Sequence, residues 1–307
     1  MGEFRGATSG IDIDGRVSMA AAKATCYLCD SPSPRPFLKV KAHRLLICDH
    51  CGLVYERDRH DGGGISADQK RFLNEYLLEE ALYAQYFDQK LQWIESFCPP
   101  GTLLDFGCGA GTFLLCARKR GWKVVGVEGS ASAAALARSR GLEIREGIIE
   151  NLSLSGAFDV VTAFQTIEHF ADPVAFLKSV KSLLRPGGAA VLTTPDRKSL
   201  MGRIQGKRWF GYYNDEHLFF YDRPSFEATL KKSLLTDIEV TREAGRLLSP
   251  SWVVTRLFQY YYTSPAFLRR LILCSPRPWK WCDWLHLREP SVNLVALARN
   301  NGRVPHS

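Results

Sequence analysis

Strands and helices alternate through the middle of the chain. Apolar runs of strand length are separated by stretches with helical periodicity from residue 103 to residue 194. Parallel strands require such crossover connections, and a parallel sheet is covered by helices on both faces. The pattern therefore predicts an α/β fold built on one mainly parallel sheet. The predicted strands are 103–106, 123–127, 142–145, 158–164, 189–194, 237–241 and 291–298, and the predicted helices are 67–97, 112–120, 130–140, 172–184 and 224–232.

Length and composition set the class of protein. With 307 residues the chain has room for one large and one small domain, and its 46% hydrophobic and 23% charged residues are ordinary for a globular protein. No run approaches the roughly 20 apolar residues of a membrane-spanning helix, and the polar first residues lack the apolar centre of a secretory signal. We therefore expect a cytoplasmic protein with a disordered tail over residues 1–22. The net charge of +8 is scattered, which favours a solvated basic surface over a nucleic-acid site.

A glycine-rich loop follows the first strand of this pattern. It reads Asp105-Phe-Gly-Cys-Gly-Ala-Gly111 and leads into a predicted helix. Glycines let the backbone turn sharply and let a ligand approach without a Cβ atom in the way. The free N–H groups at the start of the helix suit a carboxylate or a phosphate. Dinucleotide-binding folds use a similar loop, so the loop by itself leaves the ligand open.

Two acidic residues narrow the choice of ligand. Asp105 is placed just before the loop, where a carboxylate can accept a hydrogen bond from an ammonium group. Glu128 ends the next strand, with the spacing needed to accept hydrogen bonds from both hydroxyls of a ribose. Because dinucleotide sites share this second acid, it supports an adenosine ligand without choosing between NAD and S-adenosylmethionine (SAM).

The downstream sequence favours SAM. The runs LLDFGCGAGTFL (103–114) and FDVVTAFQTIEHFADPVAFLKSVKSLLRPGGAAVLTTP (158–195) closely resemble class I SAM-dependent methyltransferases. The family's marks occur in order: the acid and glycine loop, the strand-end acid, the FD strand, a Glu-His pair and a PGG turn. The resemblance covers about residues 100–242 and the closing strand. It implies a Rossmann-like, seven-stranded sheet with helices on both faces.

The resemblance also implies which residues bind SAM. Those at the methionine end are Asp105, Gly107, Cys108 (through its backbone), Gly109 and Gly111. Those farther along the cofactor are Glu128 and Gly129 at the ribose, Gly147 and Ile148 at the adenine, and Gln165 at the methyl-donor pocket. An apolar Ile148 stands where the family often has a polar adenine contact, so backbone amides would substitute there. His169 is expected to be structural rather than catalytic.

Two C-x-x-C pairs precede the α/β pattern. They are Cys26-Tyr-Leu-Cys29 and Cys48-Asp-His-Cys51, with eighteen residues between Cys29 and Cys48, a spacing within the zinc-ribbon range. Four thiolates close a tetrahedron around Zn²⁺ and leave no position for substrate, so we expect a structural zinc site. A redox pair is the alternative. Nine cysteines without an export signal also favour a reducing compartment.

These features divide the chain into a tail (1–22), a zinc ribbon (23–62), a helical linker (63–98) and a methyltransferase domain (99–307). A ribbon ahead of a class I domain resembles bacterial biosynthetic methyltransferases of sugar, polysaccharide and natural-product pathways. Deoxysugar C-methyltransferases, one such group, carry a further C-terminal domain for which this chain has no room. A nucleic-acid role for the ribbon is disfavoured because few basic residues lie between its knuckles.

Residues 206–226 resemble a bacterial subfamily in which a tryptophan-containing loop leads to a Glu-His pair. The segment follows the strand at 189–194, beyond the carboxyl ends of the parallel strands, where ligands bind. Glu216 and His217 are therefore candidates for acceptor binding, and His217 is the candidate catalytic base because its ordinary pKa lies near the operating pH. The alternative is that His217 only fixes the loop.

An aromatic, partly basic segment at about 245–290 is predicted to be a helical insertion. A lid, a dimer interface and an interfacial membrane helix are all compatible with it, and oligomeric state stays open. We expect methylation of a small-molecule or of a glycan or lipid-linked acceptor, the latter with peripheral contact at the inner membrane surface. The alternatives are an RNA-directed methyltransferase, a nicotinamide-dependent oxidoreductase and a non-catalytic SAM-fold scaffold.

Overall fold

The computed structural model describes residues 25–32, 34–40, 43–56, 77, 79–147, 156–243, 247–248, 287–288 and 292–301. The predicted tail (1–22), Ile148 and all but four residues of the aromatic segment lie outside these ranges. The strands are β1 Pro34–Val40, β2 His43–Cys48, β3 Val54–Glu56, β4 Thr102–Phe106, β5 Lys123–Glu128, β6 Ile144–Glu146, β7 Phe158–Phe164, β8 Leu184–Pro195, β9 Phe219–Phe220, β10 Thr236–Arg242, β11 Leu247–Leu248, β12 Leu287–Arg288 and β13 Asn293–Arg299. The helices are α1 Glu80–Glu95, α2 Thr112–Lys119, α3 Ala131–Ser139, α4 Pro173–Leu183, α5 Leu200–Gln205 and α6 Arg223–Lys232.

A seven-stranded sheet forms the centre of the main domain, as the sequence predicts. Its strand order is β10-β13-β8-β7-β4-β5-β6. The pairs from β8 to β6 are parallel, whereas β13 runs antiparallel to both β8 and β10. The carboxyl ends of β4, β5, β7 and β8 therefore meet at one edge, called here the carboxyl edge, where open α/β sheets bind ligands.

The PGG run is built differently from the prediction. The sequence places a turn at 186–188 before a strand at 189–194, but β8 already begins at Leu184, which pairs with Phe158. The register then shifts, so that Val160 pairs with Ala189. The extra residues form an irregularity within the strand, because the positive φ of Gly187 lets the chain bulge without losing the pairing on either side.

Local capping explains where the helices begin. Asp172 accepts a hydrogen bond from the Ala175 amide and Pro173 is the first residue of α4, which confirms the predicted start. Ser130 caps α3 in the same way. Asp222 and Ser225 form a reciprocal capping box at α6.

Helix α1 packs against the main domain. Phe87, Leu91 and Ile94, which follow one another at the helical spacings of four and three residues, are buried and belong to one hydrophobic cluster with residues of β4, α2 and β8. Arg120 bonds both Asp88 and Glu95, which aligns α1 with α2. Among the described residues, no helix is both long enough and apolar enough to span a bilayer.

A buried ion pair joins α1 to the far side of the sheet. Lys90 contacts the carboxylate of Glu243, which lies just after β10, and the two side chains are 4% and 9% exposed. The other Glu243 oxygen accepts from the Asn293 amide at 3.2 Å. The Lys90 ammonium also lies 4.5 Å from the ring centroid of Phe164, the last residue of β7.

The N-terminal cysteine-rich region forms a second, smaller sheet. Its order is β1-β2-β3-β9, all antiparallel. The first three strands come from the predicted ribbon. The fourth comes from the main domain, more than 160 residues later in the chain. The ribbon is therefore joined to the main domain through a shared sheet.

Candidate cofactor and acceptor site

The glycine loop connects β4 to α2 at the carboxyl edge. Gly107, Gly109 and Gly111 all have positive φ angles, of 70°, 53° and 79°. At two of them the space is also restricted: a Cβ on Gly107 would lie 2.6 Å from Thr166 Oγ1, and one on Gly111 would lie 2.3 Å from Leu142 Cδ1. The loop thus turns tightly and delivers the first free N–H groups of α2 to the edge.

Two alanine substitutions separate steric crowding from backbone strain. Gly111→Ala is expected to lower the free energy of unfolding by about 3 kcal/mol and Gly187→Ala by about 1 kcal/mol. Both glycines have nearly the same φ, 79° and 78°, but a Cβ on Gly187 meets open space. Urea denaturation of both variants measures the difference. Equal losses would show that Leu142 moves aside at no cost.

Asp105 is the last but one residue of β4 and is completely enclosed. Its carboxylate accepts a hydrogen bond of 2.6 Å from Thr162 Oγ1. Burial, with a smaller contribution from the nearby Glu128 carboxylate, raises the pKa of Asp105 to about 7, although the hydrogen bond from Thr162 opposes the rise. A ligand ammonium group beside Asp105 would stabilise the charged form and lower this pKa. The residue is therefore suited to respond to a cationic ligand.

Glu128 is held in place by the backbone around it. Its Oε2 accepts from the Gly109 amide and its Oε1 from the Ser130 amide, each at 2.7 Å. A carboxylate oxygen has a second lone pair, so both oxygens can still accept from a diol. The two amide bonds orient the carboxylate and connect it to the glycine loop, which brings the two sequence-predicted features together.

The remaining cofactor candidates lie around these two acids. The Cys108 thiol faces inward: its sulfur lies so close to Gly126 that a Cβ added there would be 2.6 Å away. Cys108 therefore presents its backbone to the loop. Gly129 follows Glu128, and the Gly147 amide donates to the Glu128 carbonyl at 3.0 Å. The residue predicted to lie at the adenine, Gly147, is thus adjacent to the acid predicted to bind the ribose, Glu128. Ile148 lies outside the described residues.

Gln165 occupies a strained position between β7 and β8. It has a φ of 52°, which is uncommon for a residue with a side chain and is often found at functional sites. Its backbone amide donates to Thr193 O at 3.0 Å, and its side-chain amide donates to Thr193 Oγ1 at 3.3 Å. The next residue, Thr166, donates to Phe106 O beside the glycine loop. Gln165 therefore lies at the carboxyl edge, just after β7, and its place at the methyl-donor pocket stays a prediction.

Three ionisable side chains meet just beyond Gln165. One ligand atom each from Glu168, His169 and His217 lies within 4.8 Å of the others. Glu168 is fully buried, and neither of its oxygens has a hydrogen-bond partner among the described residues. Burial raises the pKa of this carboxyl, which His169 opposes. The sequence analysis used Glu168 only as a family mark and did not assign it to the site.

His217 is buried within the loop that carries it. Its Nε2 lies 2.8 Å from the Asn214 side-chain amide, which donates to it, so the ring proton is assigned to Nδ1. Burial lowers the pKa of His217 well below its usual value, and the neighbouring His169 lowers it further. The ring is therefore neutral near pH 7, the form that a base requires. Its accepting nitrogen is occupied by Asn214, which is the contact that a loop-fixing role requires.

The four paired cysteines converge. The sulfurs of Cys26 and Cys51 are 3.5 Å apart, as are those of Cys29 and Cys48, and all four lie within 4.8 Å of one another. Tetrahedral zinc with Zn–S bonds of about 2.3 Å requires sulfurs about 3.8 Å apart. The Gly52 amide donates to Cys48 O at 2.8 Å, which closes the second knuckle. The set fits a zinc ion in both size and donor type.

Comparison with known proteins assigns the family. A family model described as a methyltransferase domain matches residues 78–240, about half of the chain. The chain belongs to this methyltransferase family, and its fold is that of the class I SAM-dependent methyltransferases. The match begins at residue 78, ahead of α1.

Similar curated relatives of the methyltransferase are named ubiquinone biosynthesis O-methyltransferases. The relative from Albidiferax ferrireducens is 28% identical over 169 residues, covering 50% of this chain and 67% of the relative. That from Bradyrhizobium sp. is 34% identical over 163 residues, with coverages of 48% and 62%. That from Cereibacter sphaeroides is 38% identical over 116 residues, with coverages of 35% and 47%. The chain thus spans about half to two thirds of the length of these relatives.

Solved structures support the fold of the methyltransferase. A SAM-dependent methyltransferase from Thermotoga maritima has a TM-score of 0.50 and 22% identity, covering 75% of this chain and 96% of that chain. A chain from the complex of the Haloferax volcanii Trm112 methyltransferase activator with a methyltransferase has a TM-score of 0.52 and 15% identity, with coverages of 77% and 99%. At these identities the likeness establishes the fold alone.

Proposed function

We propose that this methyltransferase transfers the methyl group of SAM to an oxygen of a small-molecule acceptor in a biosynthetic pathway. The observation that carries the proposal is the carboxyl edge, where an oriented Glu128, the glycine loop and the strained Gln165 adjoin the Glu168, His169 and His217 cluster. The names of the relatives, which act in ubiquinone biosynthesis as O-methyltransferases, support both the small acceptor and the oxygen nucleophile.

The chain's own residues have distinct roles in this proposal. Asp105 and the backbone of the glycine loop bind the methionine end, Glu128 and Gly129 bind the ribose, and Gly147 lies toward the adenine. SAM, when bound, supplies an electrophilic methyl group on a sulfonium. The protein's contribution is alignment, because transfer from a sulfonium needs mainly a correctly placed acceptor and removal of its proton. Gln165 marks the place where the donor and acceptor meet.

His217 is the proposed base for the acceptor proton. Its neutral ring suits this role at pH 7, provided that an acceptor hydroxyl replaces the Asn214 amide at Nε2. His217→Ala is expected to lower turnover by about 100-fold or more and to leave SAM affinity unchanged. Release of S-adenosylhomocysteine, measured with a panel of phenols, catechols and sugars, together with SAM titration calorimetry, provides the two readouts.

Asn214→Ala is the matched control for this experiment. It removes the partner of Nε2, together with the acceptor of the Glu216 amide, but leaves the imidazole in place. If His217 is a base, Asn214→Ala retains turnover. If the histidine only fixes the loop, both variants lose turnover together, and unchanged turnover in His217→Ala would eliminate the base.

Zinc is the proposed metal of the four-cysteine site. The wild-type chain is expected to bind one zinc ion, and Cys48→Ser is expected to lose it, with a loss of stability of at least a few kcal/mol because metal binding and folding are coupled. Cys98→Ser, which alters a buried cysteine outside the site, serves as the control. Metal analysis and thermal denaturation test the assignment, and full zinc retention by Cys48→Ser would contradict it.

The cellular site of action follows from the same chemistry. Zinc coordination needs reduced thiols, which favours the cytoplasm. Two further predictions depend on residues 245–290, which lie almost entirely outside the described residues. Contact with the inner membrane surface and a glycan or lipid-linked acceptor therefore stay predictions.

A further inference from the structure

The segment that carries Glu216 and His217 has little regular structure of its own. We call residues 209–221 the acceptor segment. It contains one short 3-10 helix, Phe210–Tyr213, and the two-residue strand β9. Strands this short are not stable alone, so the conformation of the segment depends on what it packs against.

The ribbon supplies the strand that pairs with this segment. In the antiparallel β3–β9 pair, Val54 lies opposite Phe220 and Tyr55 opposite Phe219. The Glu56 amide extends the pairing by donating to Leu218 O at 2.8 Å. These backbone bonds end one residue from His217, and they set which side of the segment faces the carboxyl edge.

Buried side chains reinforce the pairing. Leu45 and Val54 of the ribbon form one hydrophobic cluster with Trp209, Tyr212 and Phe220 of the acceptor segment. Every member of this cluster is at least 95% buried. The largest side chain of the segment, Trp209, therefore rests on the ribbon sheet, and loss of that sheet would expose it to water.

Both cysteine knuckles contact the acceptor segment or its flank. Tyr27, inside the first knuckle, packs its ring 5.0 Å from that of Phe219. The Gly52 carbonyl, which follows the second knuckle, accepts from Arg197 Nη2 at 2.7 Å, and the same nitrogen bonds Asp222 just beyond the segment. The geometry of the knuckles is thus transmitted to β9 from two sides.

The cofactor loop has separate supports. Arg140 donates to Ala110 O at 3.3 Å and pairs with Glu80, which also accepts from Thr112 Oγ1 at 2.7 Å. These contacts tie the glycine loop to α1 and α3 rather than to the ribbon. The main domain also contacts the acceptor segment, since the Leu218 amide donates to Glu168 O at 2.9 Å, and the ribbon adds its strand pairing and hydrophobic cluster to that contact.

We propose that the metal-closed ribbon forms one wall of the acceptor site: closure of its knuckles fixes the acceptor segment, whereas the cofactor loop keeps its structure without it. The inference rests on the proposed function in assigning the acceptor to Glu216 and His217. It makes the ribbon a positioning element for the acceptor rather than a separate docking module.

Hydrogen exchange on the full-length chain tests this coupling without an acceptor. After zinc removal by a chelator, amides in residues 209–221 are expected to exchange about tenfold faster or more, while those in residues 103–128 change less than about twofold. SAM affinity, measured by calorimetry, is expected to stay within about threefold. Unchanged exchange in residues 209–221, or equal acceleration in both regions, would overturn the proposal.

Two leucine variants test whether the ribbon fixes the acceptor segment even if loss of the metal unfolds the chain. Leu45→Ala leaves all four cysteines intact and is expected to accelerate exchange in residues 209–221 with zinc retained. Leu142 is a similarly buried leucine beside Gly111. Leu142→Ala is expected to accelerate hydrogen exchange in the cofactor loop and to weaken SAM binding, while exchange in residues 209–221 stays unchanged. Equal patterns in the two variants would refute separate supports.

The outcome is distinguishable from failure of the proposed function. If exchange shows the coupling but His217→Ala leaves turnover intact, the acceptor assignment fails and the ribbon still fixes the segment. If His217→Ala removes turnover, but neither zinc removal nor Leu45→Ala changes the exchange of residues 209–221, then the role of His217 as a base is supported. The proposal that the ribbon forms a wall of the acceptor site is then wrong.

Discussion

Glu128→Ala is expected to weaken SAM binding by about 100- to 1,000-fold, because two hydrogen bonds from the ribose to a charged acceptor are lost together. The same substitution removes the acceptor of the Gly109 amide, so the glycine loop also loses a fixed contact. Both effects act in the same direction. Titration calorimetry of the purified chain with SAM measures the change directly.

Glu146→Ala is the matched control for this prediction. Glu146 ends β6 as Glu128 ends β5, and the two residues are register partners in the parallel pair. Glu146 is exposed and pairs with Arg138 at the surface. Its removal is expected to change SAM affinity by less than about threefold, as is usual for surface ion pairs. Equal losses in the two variants would point to a general charge effect and against ribose recognition.

Lys90→Met is expected to lower the free energy of unfolding by about 3–5 kcal/mol at pH 7, because it leaves the Glu243 carboxyl group buried without the Lys90 nitrogen that donates to it. Lys90→Met combined with Glu243→Gln is expected to recover about half of this loss. The amide is cheaper to bury than a carboxylate, and its oxygen still accepts from Asn293. Denaturation of the single and double variants provides the coupling energy.

The same pair gives a dependence of stability on pH. Burial lowers the pKa of Lys90 to about 7, below its value of 10.5 in the unfolded chain. Between these values the unfolded state binds more protons, so the contribution of Lys90 makes stability rise with pH from about 7 to about 10. Lys90→Met is expected to remove this slope. Lys231→Met, which breaks an exposed pair with Glu227, is expected to change neither the slope nor the stability appreciably.

Local sequence determined much of this structure in advance. The cap at Asp172, the glycine loop and the seven strands of the main sheet all follow from short-range patterns, and the structure contains them. The cofactor candidates among the described residues could likewise be proposed from the sequence, because each of them lies at a strand end or in a turn. These positions depend on neighbours close in sequence, which a single sequence displays.

Contacts between residues far apart in the sequence could not be predicted from these short-range patterns. Lys90 and Glu243 are 153 residues apart, and a lysine on a helix ordinarily faces solvent, so neither residue indicates its partner. The β3–β9 pair joins strands of three and two residues, too short for alternation to reveal. Glu168 could have been found only from its unpartnered carboxylate, because in sequence it is one acid in a family motif.

The position of β13 determines when the enzyme can become complete during synthesis. The ribosome delivers β8 and β10 first, but β13, the strand that lies between them, comes last. Until Arg299 has emerged, β8 and β10 each expose backbone groups that β13 alone will pair, and such open edges favour association with other chains. The nascent chain therefore needs protection over this interval, and fragments ending within β13 should aggregate.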